Sequence, residues 1–551
     1  MREPITKTGT FERIEAAVLP LSASNEQEKV AHDFAREVRA AFAFGGCLAR
    51  PLANGDDNAA QSAMAEAVAE TLATNGVLAV EAGTGVGKTW AYLAPLLISG
   101  QRAWLSTATQ ALQEQLFQRD IPALSRALGM PVKAALLKGR SNYVCVRRLE
   151  MAQAGELKTG FSGPAWLSAL ERVRRWASQS VDGDLAELPG LEDQSPMRPW
   201  ISSTRENCMG EACPRFTSCH VFRARREAIQ ADWVVINHHL FLASHWGSDD
   251  DLPALLPPTQ TVVFDEAHRL VELGETQLGL SMGSEQLMEL ARELKSLGPM
   301  LARGLQPWAH CALLLEQSAR SVSNALQLTQ SAGKVQMPWA KRAPQGVDLA
   351  IWQRVRREVL AALDKASACL QAVADAAAPL AGLAERAQRW RSDWVVLLQD
   401  RADGDEQPGQ AVRWVERWPE GGWRVVQSAA DAAQAFQAAM ASAGPVNSWV
   451  FTSATLGTDE RLSWFTEALG LQAHPTLRTL RIASPFDHAA QASLYVPDGL
   501  PEPADEQHSL ALAVAVARWA AVLGGRTLVL TTSLRACERI AAALGAHLAA
   551  D

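Results

Sequence analysis

Short apolar, β-branched runs alternate along this chain with stretches whose apolar positions recur at helical spacing. AAQSAMAEAVAETL (59–72) has helical spacing, and LAVEA (78–82) is a buried-strand pattern followed by a glycine-rich turn and the helical KTWAYLAPLLIS. RAWLSTA (102–108) predicts a second strand, TQALQEQLFQRD a second helix and KAALLKG a third strand. WVVI (233–236) and TVVF (261–264) supply further short runs. This rhythm predicts an α/β fold with a parallel, doubly wound sheet. Two stretches interrupt it. Residues 141–230 have little strand pattern, four cysteines and the acidic loop GDLAELPGLEDQ. Residues 276–410 are mostly long helical patterns such as SEQLMELARELKSLG and WQRVRREVLAALDKASACLQAVADAAA. The α/β rhythm returns at WVFTSATL (449–456) and at RTLVLTTSL (526–534). The pattern reads as one sheet domain carrying two insertions, followed by the start of a second.

Composition narrows the class. With 551 residues, 48% apolar and 20% charged, the chain has material for several buried cores, which excludes wholesale disorder. No apolar run approaches the roughly 18 residues that span a bilayer, and MREPITKTGTFERIEA has no apolar core behind its charges, so neither membrane insertion nor export is expected. A net charge of −8 argues against an all-basic surface but leaves room for a basic groove on an acidic body. Eight cysteines without an export signal point to a reducing compartment, where clustered thiols bind metal more often than they form disulfides.

The strongest chemical signal is Ala-Gly-Thr-Gly-Val-Gly-Lys-Thr at 82–89, between a strand and a helix. Glycines let backbone N–H groups wrap phosphates, a lysine reaches the β and γ oxygens, and a hydroxyl holds Mg²⁺. Gly83, Thr84, Gly85 and Gly87 form that loop, and Lys88 and Thr89 take the two side-chain roles. Val-Val-Phe-Asp-Glu-Ala-His (262–268) ends a second buried strand with two carboxylates. Asp265 is placed to hold Mg²⁺, and Glu266 to orient and deprotonate an attacking water. Catalysis is expected to rest on Lys88, Asp265 and Glu266. His268, Thr452, Ser453 and Thr455 are suited to coupling nucleotide state with motion.

These residues resemble a superfamily 2 DNA helicase, and more closely the DinG branch of the XPD-like family. The echoes are GTGVGKTWAYLAP, STATQALQEQL, LLKGRSNYVC, INHHLFL, VVFDEAH, FTSATL, SPF (484–486) and TLVLTTS, in family order from about residue 46 onward. The resemblance implies a RecA-like P-loop motor domain with inserted iron–sulfur and helical arch subdomains, plus part of a second RecA-like domain. On that reading residues 1–45 are an N-terminal helical segment. The first motor domain is assembled from 46–140, 231–275 and 411–457, around a cluster insertion at 141–230 and an arch-like insertion at 276–410. The second motor domain begins at 458 and runs to 551. The resemblance also implies adenine recognition by Gln61, with LANGDDNAA stretching the spacing from Arg50, and ATP-driven 5′→3′ translocation on single-stranded DNA. Expected partners are single-stranded DNA and forked or overhang duplexes, in a bacterial cytosol and nucleoid setting, in repair or replication.

Cys145, Cys208, Cys213 and Cys219 form one long gap followed by two short ones. Four thiolates hold either a cluster or a single metal. Zinc sites usually have tighter pairs, and the arrangement looks like the [4Fe–4S] site of XPD-like helicases; zinc, with His220 as a candidate ligand, and unliganded thiols stay open. Cys47, Cys311, Cys369 and Cys537 lack partner spacing and read as small buried hydrophobes. Basic tracts surround the cluster cysteines in KGRSNYVCVRR, RVRRW and RFTSCHVFRARR. A groove tracking a nucleic-acid backbone needs such charges, with aromatics for stacking. Arg140, Tyr143, Arg147, Arg148, Arg215, Phe216 and Arg223 are the candidates for DNA contact, with Phe222 beside them.

The family supplies γ-phosphate-neutralising arginines from its second motor domain, and no Gln-x-x-Gly-Arg-x-x-Arg string is present. The chain therefore reads as C-terminally incomplete, with weak or absent ATPase expected. Two alternatives accompany the helicase reading: an ATP- and DNA-binding iron–sulfur module that does not unwind, and a zinc-stabilised P-loop ATPase.

Overall fold

The computed structural model describes residues 25–548 except 44, 50–58, 156–162, 193–194, 196, 205–206, 247–256, 278, 327–334, 341, 399–411, 419–420, 429–431, 504 and 506. Residues 1–24 of the expected N-terminal segment, Arg50 and most of LANGDDNAA therefore lie outside the described residues. The chain divides into two units, residues 1–485 and 486–551.

In chain order the strands are β1 (Val77–Ala82), β2 (Ala103–Thr107), β3 (Ala134–Leu136), β4 (Trp233–Asn237), β5 (Thr261–Asp265) and β6 (Leu280–Gly283). They continue with β7 (Val335–Ala340), β8 (Ala343–Pro344), β9 (Arg413–Arg417), β10 (Trp423–Gln427), β11 (Ser448–Ser453) and β12 (Leu477–Ile482). Seven of them form one sheet in the order β12-β1-β11-β5-β2-β4-β3, with every pairing parallel. Strands β2, β4 and β11 are buried along their whole length, which is why they read as continuous apolar runs rather than alternating ones. One face packs under α1 (Asn25–Phe42), α2 (Ala59–Thr74) and α3 (Lys88–Ser99), through residues such as Val38, Met64, Leu93 and Leu105. The other is rich in phenylalanine, with the rings of Phe264 and Phe451 stacked at 5.1 Å. Because β1, β11 and β5 are parallel neighbours, their C-terminal ends emerge side by side, the usual place for a ligand in such a sheet.

Residues 141–230 form a small body with its own core of Val144, Leu149, Leu170, Val173, Leu185 and Ile201. Lys138, buried at the junction, holds it to α4 (Gln110–Gln115): its Nζ lies 2.5 Å from Glu114 and 2.5 Å from Asp184. The second insertion departs from the expected boundaries. Its long helices pack on a five-stranded sheet in the order β6-β10-β9-β7-β8, antiparallel throughout. The β9–β10 hairpin, expected in the motor domain from residue 411, belongs to this body, because its apolar face is needed to cover the helices' core at Trp394 and Val415.

Two further expectations are corrected. Strand β12 pairs with β1 in the main sheet, so the first unit continues well past residue 457 and closes at Pro485. In the second unit, helices His508–Val522 and Leu534–Leu548 form, but no strand forms at 526–531. Leu528 and Leu530 are 85% and 84% exposed there, and no described segment pairs with this run. A strand needs a neighbour to satisfy its backbone. Among the described residues no helix is long and apolar enough to cross a membrane.

Candidate functional site

Strand β1 runs into the loop 83–87, and α3 starts at Lys88. Gly87 has φ +84° and the side chain of Gln61 occupies the space where a Cβ would stand, so only glycine fits. Gln61 Nε2 donates to the Gly87 carbonyl at 2.8 Å, which places this buried glutamine of α2 directly against the loop. Gly83 is constrained differently: a Cβ there would meet the Ser484 backbone at 2.6 Å. Ser484 Oγ donates to the Thr84 carbonyl at 2.7 Å, while the Thr84 side chain is exposed.

A cavity of about 220 Å³ is lined by Gly83, Gly85, Gly87, Lys88 and Thr89 on one side and Asp265 and Glu266 on the other. Asp265 accepts the Tyr92 hydroxyl at 3.2 Å and the Glu266 N–H at 3.0 Å. Burial, and then the Glu266 charge, push its carboxyl up to about 6, against the pull of Lys88. Glu266 itself sits at φ +56°, a left-handed conformation costly for a residue with a side chain and characteristic of functional turns. Its Oε2 lies 3.4 Å from His268 Nδ1 and 3.4 Å from Ser453 Oγ, and His268 Nδ1 meets Ser453 Oγ at 2.7 Å. The strand ends are closed by the Ala267 N–H donating to the Thr452 carbonyl at 2.9 Å. Thr452 Oγ1 is buried without a partner among the described residues. Thr455 reaches the group only through its backbone N–H, 3.3 Å from Ser453 Oγ, and its side chain is exposed.

Several participants escaped the sequence reading. Tyr92 was legible: it stands four residues after Lys88, on the same face of α3. Asp120 lines the cavity from a π-helical turn, Leu116–Asp120. His238 is fully buried, with Nδ1 2.7 Å from Ser106 Oγ, and burial depresses its pKa to about 3. That pairing joins positions 132 apart and has no local signature.

The cysteines lie at turns and helix starts of the first insertion. Cys145 precedes helix Val146–Gln153, Cys219 precedes helix His220–Ile229, and Cys213 separates two 3₁₀ turns; all four cysteines, with Cys208, are half-buried. Burial raises the Cys145 thiol above its usual range, and a set of four sulfurs suits a cluster or zinc. Among the described residues no three such groups close into a metal cage. His220 is engaged elsewhere: Nδ1 meets Arg223 at 3.1 Å, and the ring also bonds to the Val181 backbone. Cys311 and Cys369 are buried as expected and face each other, with sulfurs 3.1 Å apart, whereas Cys47 and Cys537 are exposed, against the same expectation.

The proposed DNA contacts separate into two groups. Tyr143 is buried, its hydroxyl accepting the Lys138 N–H at 3.0 Å, so it has no free face for stacking. Arg148 is buried and donates to the Pro199 carbonyl at 2.7 Å, which makes it a structural strut. Arg215 is paired with Glu150 at 2.8 Å, and Arg223 lies near Asp182 and Glu227. Arg140 and Arg147 remain partly exposed and form no ion pair among the described residues. Phe216 and Phe222 pack edge to face at 4.3 Å, both half-buried.

A parallel sheet presenting a glycine loop, Lys88, Thr89 and an Asp-Glu-Ala-His turn round one cavity defines a P-loop nucleotide hydrolase motor domain of RecA-like architecture. Comparison with known proteins is more specific. No family model matches the chain. It is 34% identical over 494 residues to the ATP-dependent DNA helicase YoaA of Escherichia coli, covering 89% of this chain and 74% of that one. It is 30% identical over 512 residues to the ATP-dependent helicase DinG of Mycobacterium tuberculosis, covering 89% and 73%. A solved structure of S. tokodaii Xpd4 aligns over 88% of this chain and 73% of its own, at TM-score 0.41 and 12% identity, a likeness too loose to transfer residue roles. The chain belongs to the YoaA/DinG family of ATP-dependent helicases.

Proposed function

We propose that this chain is the ATP-hydrolysing part of a DNA helicase that moves 5′→3′ on single-stranded DNA and opens duplexes, in repair or replication. The observation carrying the reading is the single cavity into which Lys88, Thr89, Asp265 and Glu266 converge from β1 and β5. In this scheme the loop N–H groups and Lys88 bind the phosphates, and Thr89 and Asp265 hold Mg²⁺, which supplies charge neutralisation at the transferred phosphoryl group. Glu266 takes the proton of the attacking water at its carboxylate. Ser453 and His268, bonded to each other and within 3.4 Å of Glu266, pass its state to β11.

Cys145, Cys208, Cys213 and Cys219 would hold a [4Fe–4S] cluster, which ties turns distant in sequence into one body. The bonding of the His220 ring to Arg223 and to the Val181 backbone favours an all-cysteine set over a zinc site completed by histidine.

DNA-stimulated ATPase, measured beside Lys88→Ala, tests the motor; unwinding of 5′- against 3′-overhang duplexes tests polarity. ATP and DNA binding without turnover, persisting after addition of the C-terminal region of a relative, would replace the motor with a binding module. Anaerobic purification with iron analysis and a visible spectrum tests the cluster. Colourless, iron-free, zinc-containing protein overturns it.

A further inference from the structure

Glu81 stands two residues before Gly83, yet its side chain does not line the nucleotide cavity. On β1 it has two register partners, Ser453 on β11 and Arg481 on β12. Its carboxylate Oε2 accepts the N–H groups of Leu456 at 2.6 Å and Gly457 at 3.0 Å, and Oε1 accepts Arg481 Nε at 3.0 Å. Arg481 continues the chain of bonds by donating Nη1 to the Thr458 carbonyl at 3.2 Å. Burial alone would raise the Glu81 carboxyl, but these N–H donors and the guanidinium outweigh it and hold it below the usual range. Such charge-assisted bonds are short and directional, so they transmit a displacement rather than absorb it.

The partners sit where a displacement would matter. Leu456–Thr458 is the turn immediately after Thr452, Ser453 and Thr455. Beyond Arg481 the same strand meets the phosphate loop again: Gly83 N–H donates to the Ile482 carbonyl at 2.9 Å, and Ser484 fills the Cβ space of Gly83. One residue later, at Pro485, the first unit ends.

We infer that Glu81, paired with Arg481, is a positioning residue that links the phosphate-loop strand to the turn at 456–458 and to the exit segment 482–484. Filling of the loop is then registered at both segments. The inference rests on the reading that the loop binds MgATP.

The test is hydrogen–deuterium exchange of the chain with and without MgATP, alongside affinity for a fluorescent ATP analogue. In the unaltered chain, MgATP slows exchange at 456–458 and 482–484. Glu81→Gln and Arg481→Gln keep the analogue's Kd within about threefold while the MgATP-induced slowing at 456–458 falls at least about fivefold. The double variant does no worse than either single one, as expected of a single linkage. Arg481→Lys, which keeps the charge, recovers part of the response, and matching melting curves exclude simple misfolding. MgATP binding without slowing at these amides overturns the inference. So does a Glu81→Gln protein that responds like the unaltered one, or that loses analogue affinity more than about tenfold. An unaltered chain that fails to bind MgATP overturns the ATPase reading itself, and this inference with it.

Discussion

The parallel sheet and the body inserted between β5 and β11 both bury large side chains completely, yet they use their polar atoms differently. In the inserted body, indole N–H groups stitch elements to backbone, as those of Trp104 and Trp233 do in the sheet: Trp308 Nε1 donates to the Ala302 carbonyl at 2.9 Å, and Trp423 Nε1 to the Ala319 carbonyl at 2.9 Å. Each such bond ends where it starts, in packing. In the sheet, buried Ser106, His238, Thr452 and Ser453 crowd the C-terminal ends of β2 and β11 and the start of the helix after β4. There the bonds lead to a strained glutamate and an open cavity. Burial alone therefore does not mark function; buried polar groups that converge on a cavity do.

The comparison breaks first if chemistry fails to follow the sheet. In the chain joined to the C-terminal region of a relative, Glu266→Gln should lower the kcat of DNA-stimulated ATP hydrolysis by about 10²–10⁴-fold, the range for a lost general base, with ATP affinity and melting little changed. Steady-state ATPase with a parallel binding titration checks it. A matching loss in affinity would make Glu266 a binding group instead. The converse concerns the inserted body. Trp352 is fully buried in its core, edge-on to Trp339 at 5.5 Å. Trp352→Ala should cost about 3–5 kcal/mol of local stability. Hydrogen exchange should rise across helix Leu349–Gln371 while ATP binding to the sheet stays intact.

What could be read from the sequence divides along the same line. The phosphate loop and the Asp-Glu-Ala-His turn are contiguous, and their glycines and β-branched runs have local physical reasons, so their chemistry was legible. The β9–β10 hairpin was legible too: RWVER and WRVVQ alternate with period two around WPEGG, and Gly421 takes φ +86°. The boundary at 411 nevertheless put it in the motor domain, because strand alternation does not say which sheet a hairpin joins. Glu81–Arg481, 400 residues apart, and Ser106–His238 were not legible, because only the order of strands in the sheet brings them together. Tyr143 misled for a local reason. Proximity to Cys145 and to basic residues says nothing about which way a ring points, and this one points inward.

His238 sharpens the contrast at smaller amplitude. Its folded-state pKa is near 3, set by burial, against about 6.5 in an unfolded chain. Between those values the unfolded chain binds a proton that the folded one refuses. Its contribution to stability is thus whole above about pH 6.5 and falls as pH drops, by roughly 2 kcal/mol at pH 5. Denaturant melts at pH 7 and pH 5 should show this loss, and His238→Gln should shrink the difference; an unchanged difference would assign the acid sensitivity to other groups.

The smallest effect falls on Thr452 of β11, the strand between β1 and β5, whose hydroxyl is buried without a partner among the described residues. A buried, unsatisfied hydroxyl carries a desolvation cost of about 1–3 kcal/mol, which a valine of nearly the same shape escapes. Packing alone would favour valine. Thr452→Val should therefore leave the melting transition unchanged or raise it by a few degrees. The same variant should lower DNA-stimulated ATPase while ATP affinity holds, because it removes the hydroxyl next to Ser453 at the end of β11. Full ATPase in a more stable Thr452→Val protein would place Thr452 with the packing residues of the inserted body, and would confine the coupling role to Ser453 and His268.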